Sequence, residues 1–317
     1  MGLLIDGKWS RDWYKADEKG QFVRPETSFR KQITADGSSD FKAEEDRYHL
    51  YVSLACPWAH RTLIMRKLKE LENVISLSVV DYLMGDDGWA FSDKPGCLPD
   101  TVNGCSFLRD VYIRADPHYT GRVTVPVLWD KKKGTIVNNE SRQVMRMLDR
   151  EFDEFGDGSV TFYPEEMRDE IDETINKIYM PINNGVYRAG FATSQEAYDE
   201  GVTELFKALN YWDDLLSRQR YLCGDVITEA DWCLFTTLVR FDVVYYTHFK
   251  CNLRHIYEYP NLWNYIKELY QIPGVSETCN FSHIKKHYYK SHPTVNPHGI
   301  VPKGPKVDFN EPHNRGV

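Results

Sequence analysis

No apolar stretch in the 317 residues approaches the roughly 20 needed to cross a bilayer, so no membrane segment is expected. The opening ten residues include Asp6 and Lys8 and lack the long apolar core of a secretion signal. Basic residues are not concentrated anywhere. The net charge is -8 with both signs mixed along the chain, which argues against a nucleic-acid partner. The short run Lys131–Lys133 beside Gly134 reads as a hairpin turn. No G-x-G-x-x-G follows a strand and no P-loop occurs, so no nucleotide cofactor is indicated. His283 and His287 lie four apart without an evident third ligand, and Asp81, Asp86 and Asp87 read as a solvated loop, so no metal is expected. The seven cysteines are odd in number and scattered, which disfavours a disulfide framework and fits a reducing cytoplasm.

Aromatic residues are what the chain has in excess: 20 tyrosines and 8 tryptophans, able to fill a core or line a pocket for flat ligands. Residues 1–46 mix charges, rings and Gly/Ser without periodicity and read as an extended lead-in. Tyr48 to Leu54 is then a compact β-type run, and Leu63, Ile64, Leu68 and Leu71 recur at helical spacing after it. Val74 to Val80 reads as a second strand. A Gly/Pro-rich insertion over 82–105 precedes a short helix near 106–114, strands at Val123 to Trp129 and Thr135 to Val137, and a helix from Ser141 to Phe152. This β-α-β-α-β-β-α order over 47–155 is a thioredoxin-like α/β arrangement, with parallel pairing across its βαβ unit.

From 160 to 290 the pattern is all-helical. Thr193-Ser194-Gln195-Glu196 opens a helix whose stripe includes Val202, Leu205, Leu209 and Trp212, and Thr228-Glu229-Ala230-Asp231 opens another. Pro260 begins a third, ending near Pro273-Gly274. Residues 291–317 hold five prolines and read as an extended tail.

Cys56 sits at the first strand–helix junction, with Pro57 in the first helical turn, where a missing N–H does no harm. A helix N-terminus stabilises an anion, so a cysteine there is expected to ionise readily and act as a nucleophile. Position 59, where a C-x-x-C motif would carry its second thiol, is Ala59. No internal dithiol cycle is available, and a mixed disulfide with an external thiol, released by a second one, remains. Cys97, Cys105, Cys223, Cys233, Cys251 and Cys279 are read as structural.

Val125-Pro126 downstream fits the cis-proline that, in thioredoxin-like folds, exposes the preceding backbone to a peptide-like ligand. An ordinary trans-proline at a strand edge is the alternative. Glu140 and Ser141 open the next helix. Together they suit an α-ammonium and an α-carboxylate, which glutathione's γ-glutamyl end presents, or they merely cap the helix. Trp89 and Arg109 are candidates to cover the rest of the tripeptide.

Five segments occur in order: Ser53-Leu-Ala-Cys-Pro-Trp-Ala-His-Arg-Thr62, Gly121-Arg-Val-Thr-Val-Pro-Val-Leu-Trp-Asp130, Asn183-Asn-Gly-Val-Tyr-Arg-Ala-Gly-Phe-Ala192, Arg240-Phe-Asp242 through His248-Phe-Lys250, and His287-Tyr-Tyr-Lys-Ser-His292. Together they make the chain resemble the glutathionyl-hydroquinone reductases, the omega-like Xi class of glutathione transferases, over nearly its whole length. The resemblance implies a thioredoxin-like domain followed by an all-α domain. It also implies an oxidoreductase that removes glutathione from glutathionyl-hydroquinones through a Cys56–glutathione disulfide, which a second glutathione resolves. Further implied are catalytic Tyr187 and Tyr288, which with Tyr245 bind the hydroquinone oxygens, glutathione ligands Trp89, Arg109, Val125, Glu140 and Ser141, and a homodimer. Tyr246 and Tyr289 are immediate neighbours of two of these tyrosines. Val243-Val244 follows Arg240-Phe-Asp242 where relatives commonly carry a proline. The competing expectations are a general glutathione-dependent thiol transferase or dehydroascorbate reductase, and a non-catalytic glutathione-transferase-like binding module.

Overall fold

The dipeptide Asp6-Gly7 has positive φ at both residues, 48° and 70°, the backbone a two-residue hairpin requires and glycine tolerates. It joins strands β1 (Leu3–Ile5) and β2 (Lys8–Ser10), so the lead-in carries structure despite its lack of periodicity. The computed structural model describes residues 2–12, 16–24 and 26–315, which fall into two compact units. One holds 2–12, 26–161 and 278–287; the other holds 16–24, 162–277 and 288–315.

In the first unit β3 (Ile33–Thr34) and β4 (Phe41–Lys42) pair in parallel. The main sheet is built from β5 (Tyr48–Val52), helix α1 (Pro57–Leu68) and β6 (Ser76–Val79), followed by α2 (Leu108–Ala115). Then come β7 (Gly121–Arg122), β8 (Val127–Asp130), β9 (Thr135–Asn138) and α3 (Ser141–Arg150). The order β6-β5-β8-β9 puts β5 inside, parallel to β6 and antiparallel to β8. All five β5 residues are buried, as a strand covered on both faces must be. The single strand expected over Val123 to Trp129 is broken: β7 pairs with the hairpin strand β1, and β8 begins only after Pro126, which has no N–H for a ladder.

In the second unit α4 (Arg168–Ile178) runs through a π-helical turn, Tyr179–Asn183, into α5 (Gly185–Gly190). Helix α6 (Gln195–Leu216) starts where Ser194 Oγ accepts the Ala197 N–H at 3.2 Å. Helix α7 (Glu229–Arg240) is buried at every position and passes through a second π-helical turn, Phe241–Tyr245, into α8 (Tyr246–His248). Its capping box forms as expected, with Asp231 Oδ2 accepting the Thr228 N–H at 2.7 Å. Asn183, in the first π-turn, donates its amide to Cys233 O and Thr237 Oγ1 of α7 at 2.9 and 2.8 Å, which ties the turn to that helix. Helix α9 (Pro260–Gln271) completes the helices of this unit, and the last helix, α10 (Phe281–Ser291), has 281–287 in the first unit and 288–291 in the second. No regular element follows Ser291 among the described residues. The tail is tied to α9 instead, through Lys267 Nζ to Pro312 O and Gln271 Nε2 to Phe309 O, both 2.8 Å. No helix of the described residues is long and apolar enough to cross a membrane.

Candidate functional site

Cys56 is the residue immediately before α1, with extended backbone (φ -77°, ψ 123°) and Pro57 first in the helix. Its side chain is half-buried, its Sγ lies 3.8 Å from Val125 O, and the Val125-Pro126 peptide is cis. The cysteine and the proline strand are thereby adjacent in space. A sulfur at a helix N-terminus meets the positive end of the peptide dipoles, which favours thiolate. No disulfide joins any of the seven cysteines.

Glu140 precedes α3 and does cap it: Oε1 accepts the Arg142 N–H at 3.3 Å and Oε2 accepts the Thr27 hydroxyl at 3.4 Å. Its own N–H donates to Asn138 Oδ1 at 2.7 Å, which fixes the turn from β9 into the helix. Ser141 is buried at the first helical position, 3.5 Å from Arg61 Nη1. Capping and ligand binding are compatible here, because a cap orients the carboxylate across the open end of a helix.

Trp89 follows Gly88, whose φ of 79° makes the turn that presents the indole. The Trp89 ring is buried and stacks on His287 at 4.8 Å with planes 23° apart. His287 Nδ1–H donates to Tyr82 O at 2.9 Å and His283 Nε2–H donates to Pro95 O at 2.8 Å. The two histidines thus grip the 82–105 insertion through its carbonyls; no cluster of three metal-ligating side chains occurs among the described residues. Arg109 donates to Asp87 O at 2.6 Å and to Asp87 Oδ1 at 3.2 Å, with its guanidinium over the Trp9 and Phe107 rings. It braces the loop carrying Trp89.

The three tyrosines lie together in the second unit. Tyr187 Oη is 2.5 Å from Tyr288 Oη, which is 3.1 Å from Tyr245 Oη. All three side chains are buried, and burial pushes the Tyr245 and Tyr288 phenols well above the usual tyrosine range. Their sequence neighbours face elsewhere: Tyr246 stacks on His255, and Tyr289 Oη donates to Val243 O at 3.4 Å. Gly190 is required beside this cluster, because a Cβ there would sit 2.1 Å from the Phe249 ring that packs on Tyr187. Sequence reasoning missed Phe22 and Arg24, which lie against Tyr187 from the aperiodic lead-in, and the stacking of His287 on Trp89, although His287 opens the His287-Tyr-Tyr-Lys-Ser-His292 segment.

Residues 55–151 match the glutathione S-transferase N-terminal domain and residues 195–268 the glutathione S-transferase C-terminal domain. The chain belongs to the glutathione S-transferase family, in its Xi class. It is 54% identical over 325 residues to the glutathionyl-hydroquinone reductase YqjG of Escherichia coli, covering 100% of this chain and 99% of that protein. Among solved structures, the Xi-class transferase of Natrialba magadii superposes with a TM-score of 0.94 at 56% identity, covering 99% of this chain and 96% of that one. The glutathione-bound structure of YqjG superposes at 0.92 and 52% identity, covering 100% and 99%.

Proposed function

We propose that this chain is a glutathionyl-hydroquinone reductase with Cys56 as its nucleophile. The Cys56 thiolate attacks the glutathione sulfur of the substrate thioether, forming the Cys56–glutathione disulfide. The carbon–sulfur electron pair leaves with the aromatic ring, which takes up a proton and departs as hydroquinone. A second glutathione, as thiolate, then attacks the mixed disulfide, giving oxidised glutathione and restoring the Cys56 thiolate.

Val125 offers its backbone to the tripeptide, while Glu140 and Ser141 take the γ-glutamyl ammonium and carboxylate. Trp89 covers the remainder, on a loop that Arg109 braces. Tyr187, Tyr245 and Tyr288 address the hydroquinone oxygens, a phenol being able both to stack and to donate.

The observation that carries the reading is the hydrogen-bonded phenol trio. A general thiol transferase needs Cys56 and the cradle but has no use for three convergent hydroxyls. The names of the E. coli relative and of its glutathione complex support the same reading. A cytoplasmic homodimer accompanies it, since the scattered odd cysteines suit a reducing compartment and the family resemblance implies pairing.

Turnover of glutathionyl-menadiol with excess glutathione, in wild type and Cys56→Ser, is the test. Menadiol and oxidised glutathione formed together, and abolished in the variant, are expected. A wild type inert on this substrate but active on small mixed disulfides would replace the reading with a general thiol transferase.

A further inference from the structure

Phe22 and Arg24 come from the lead-in, far from the tyrosines in sequence, yet both lie on Tyr187. The Phe22 ring stacks on Tyr187 at 6.4 Å with planes 29° apart, and also packs on Phe191 at 5.5 Å. The Arg24 guanidinium carbon lies 5.0 Å from the centroid of the Tyr187 ring and 5.4 Å from that of Phe22. Arg24 Nε–H donates to Asn184 Oδ1 at 3.1 Å, which holds the cation near the start of the helix bearing Tyr187. The segment is itself pinned: Thr193 N–H donates to Gly20 O at 3.0 Å, Ser194 Oγ donates to Lys19 O at 2.9 Å, and Gln21 Nε2 donates to Glu200 at 2.9 Å. This is a built contact on one phenol of the trio.

The three phenols differ in surroundings. Tyr245 and Tyr288 are fully buried, and Arg240, itself buried at the end of α7, is the cation that favours their ionisation. His248 and His292, 3.1 Å apart, pack edge-on to Tyr288. Tyr187 has the guanidinium of Arg24 on its ring. A cation over an aromatic ring interacts more strongly as that ring gains electron density. When the trio gives up a proton to the departing aromatic ring, the negative charge left behind is best accommodated on Tyr187.

We propose that Arg24 is a positioning residue of the reductase, set over Tyr187 so that developing phenolate charge localises on that ring. Arg24 acts through Tyr187 and adds transition-state stabilisation, not ground-state binding, so its loss lowers kcat and leaves KM nearly alone. The inference rests on the proposed reductase reading.

Two variants and two substrates test it. With glutathionyl-menadiol, Arg24→Gln lowers kcat roughly tenfold, about 1.4 kcal/mol, with KM within about twofold. Arg24→Lys, which keeps the charge and loses the Nε–H bond to Asn184, recovers most of that loss. Both variants reduce a small glutathione mixed disulfide at the wild-type rate, since that reaction needs Cys56 and no phenol. Unchanged kcat in Arg24→Gln, a Lys variant as impaired as the Gln variant, or loss of both activities together would each overturn the proposal, the last by showing a packing role alone. Failure of the reductase reading looks different: the wild type itself does not turn over the hydroquinone conjugate.

Discussion

At the scale of single residues, the central phenol is Tyr288, the one whose hydroxyl is bonded to both others. Burial pushes its phenol well above the usual tyrosine range, so in the proposed reaction it would act as a donor and not as a phenolate. Tyr288→Phe removes the shared hydroxyl while keeping the ring. We expect kcat for glutathionyl-menadiol to fall roughly 100-fold, the usual scale for losing a positioned acid, with mixed-disulfide reduction within about twofold of wild type. Stopped-flow measurement of both half-reactions checks this, and equal losses on the two substrates would return the tyrosine to core filling. Cys56, Glu140 and the tyrosines were legible in the sequence because each sits in a short contiguous motif. Phe22 and Arg24 were not, because an aperiodic segment gives no register from which to infer what it touches. Arg109 was read as a ligand candidate from its place after the insertion and from the family resemblance; Asp87, which anchors it, lies outside its helix and carried no pairing signal.

At the scale of elements, strand pairing buries one base completely. His49 in β5 lies opposite Ser76 in β6, with Nδ1 2.7 Å from Ser76 Oγ and Nε2 2.9 Å from Ser78 Oγ. Desolvation pushes its pKa down to about 4. The unfolded imidazole protonates near 6.5, so between those values the unfolded chain binds more protons than the folded one. Stability from this group is therefore complete above about pH 6.5 and falls toward pH 4, by on the order of 3 kcal/mol. Denaturant titrations across that range should show His49→Gln with a shallower loss than wild type; identical slopes would refute the assignment. Helix and strand order was readable from periodicity, and the capping box at Thr228–Asp231 marked the start of α7; at α6 the box read over Thr193–Glu196 does not form, because Ser194 is the cap and Ala197 stands where the box needs its carboxylate. The break at Pro126 was overlooked because a β-branched run masked the missing N–H. The first hairpin hid behind Asp6-Gly7, whose turn chemistry was present but unread.

At the scale of the whole molecule, ligand binding and folding are linked. Glutathione that binds only the folded chain adds about 2.7 kcal/mol at a hundredfold excess over its dissociation constant. Thermal scans of Cys56→Ser, which cannot form the mixed disulfide, should show this rise. Glu140→Ala in the same background should erase most of it by removing the ammonium partner, and a rise unaffected by that change would place glutathione elsewhere. The two-part organisation was legible because the apolar period changes from strand to helix along the chain. The π-helical turns were not, since one extra residue leaves an apolar stripe almost unaltered. Those turns make the count of residues part of the chemistry. Tyr187 follows the first of them and Tyr245 ends the second. Each lodges one residue more than a regular helical turn, and losing that residue would let the helix close into its ordinary repeat with its ladder intact. Every side chain beyond the repair would then swing by about 100°. Such a chain could keep its elements and still scatter its hydroxyls, so a one-codon deletion at either turn is a more direct route to a silent catalyst than most substitutions around it.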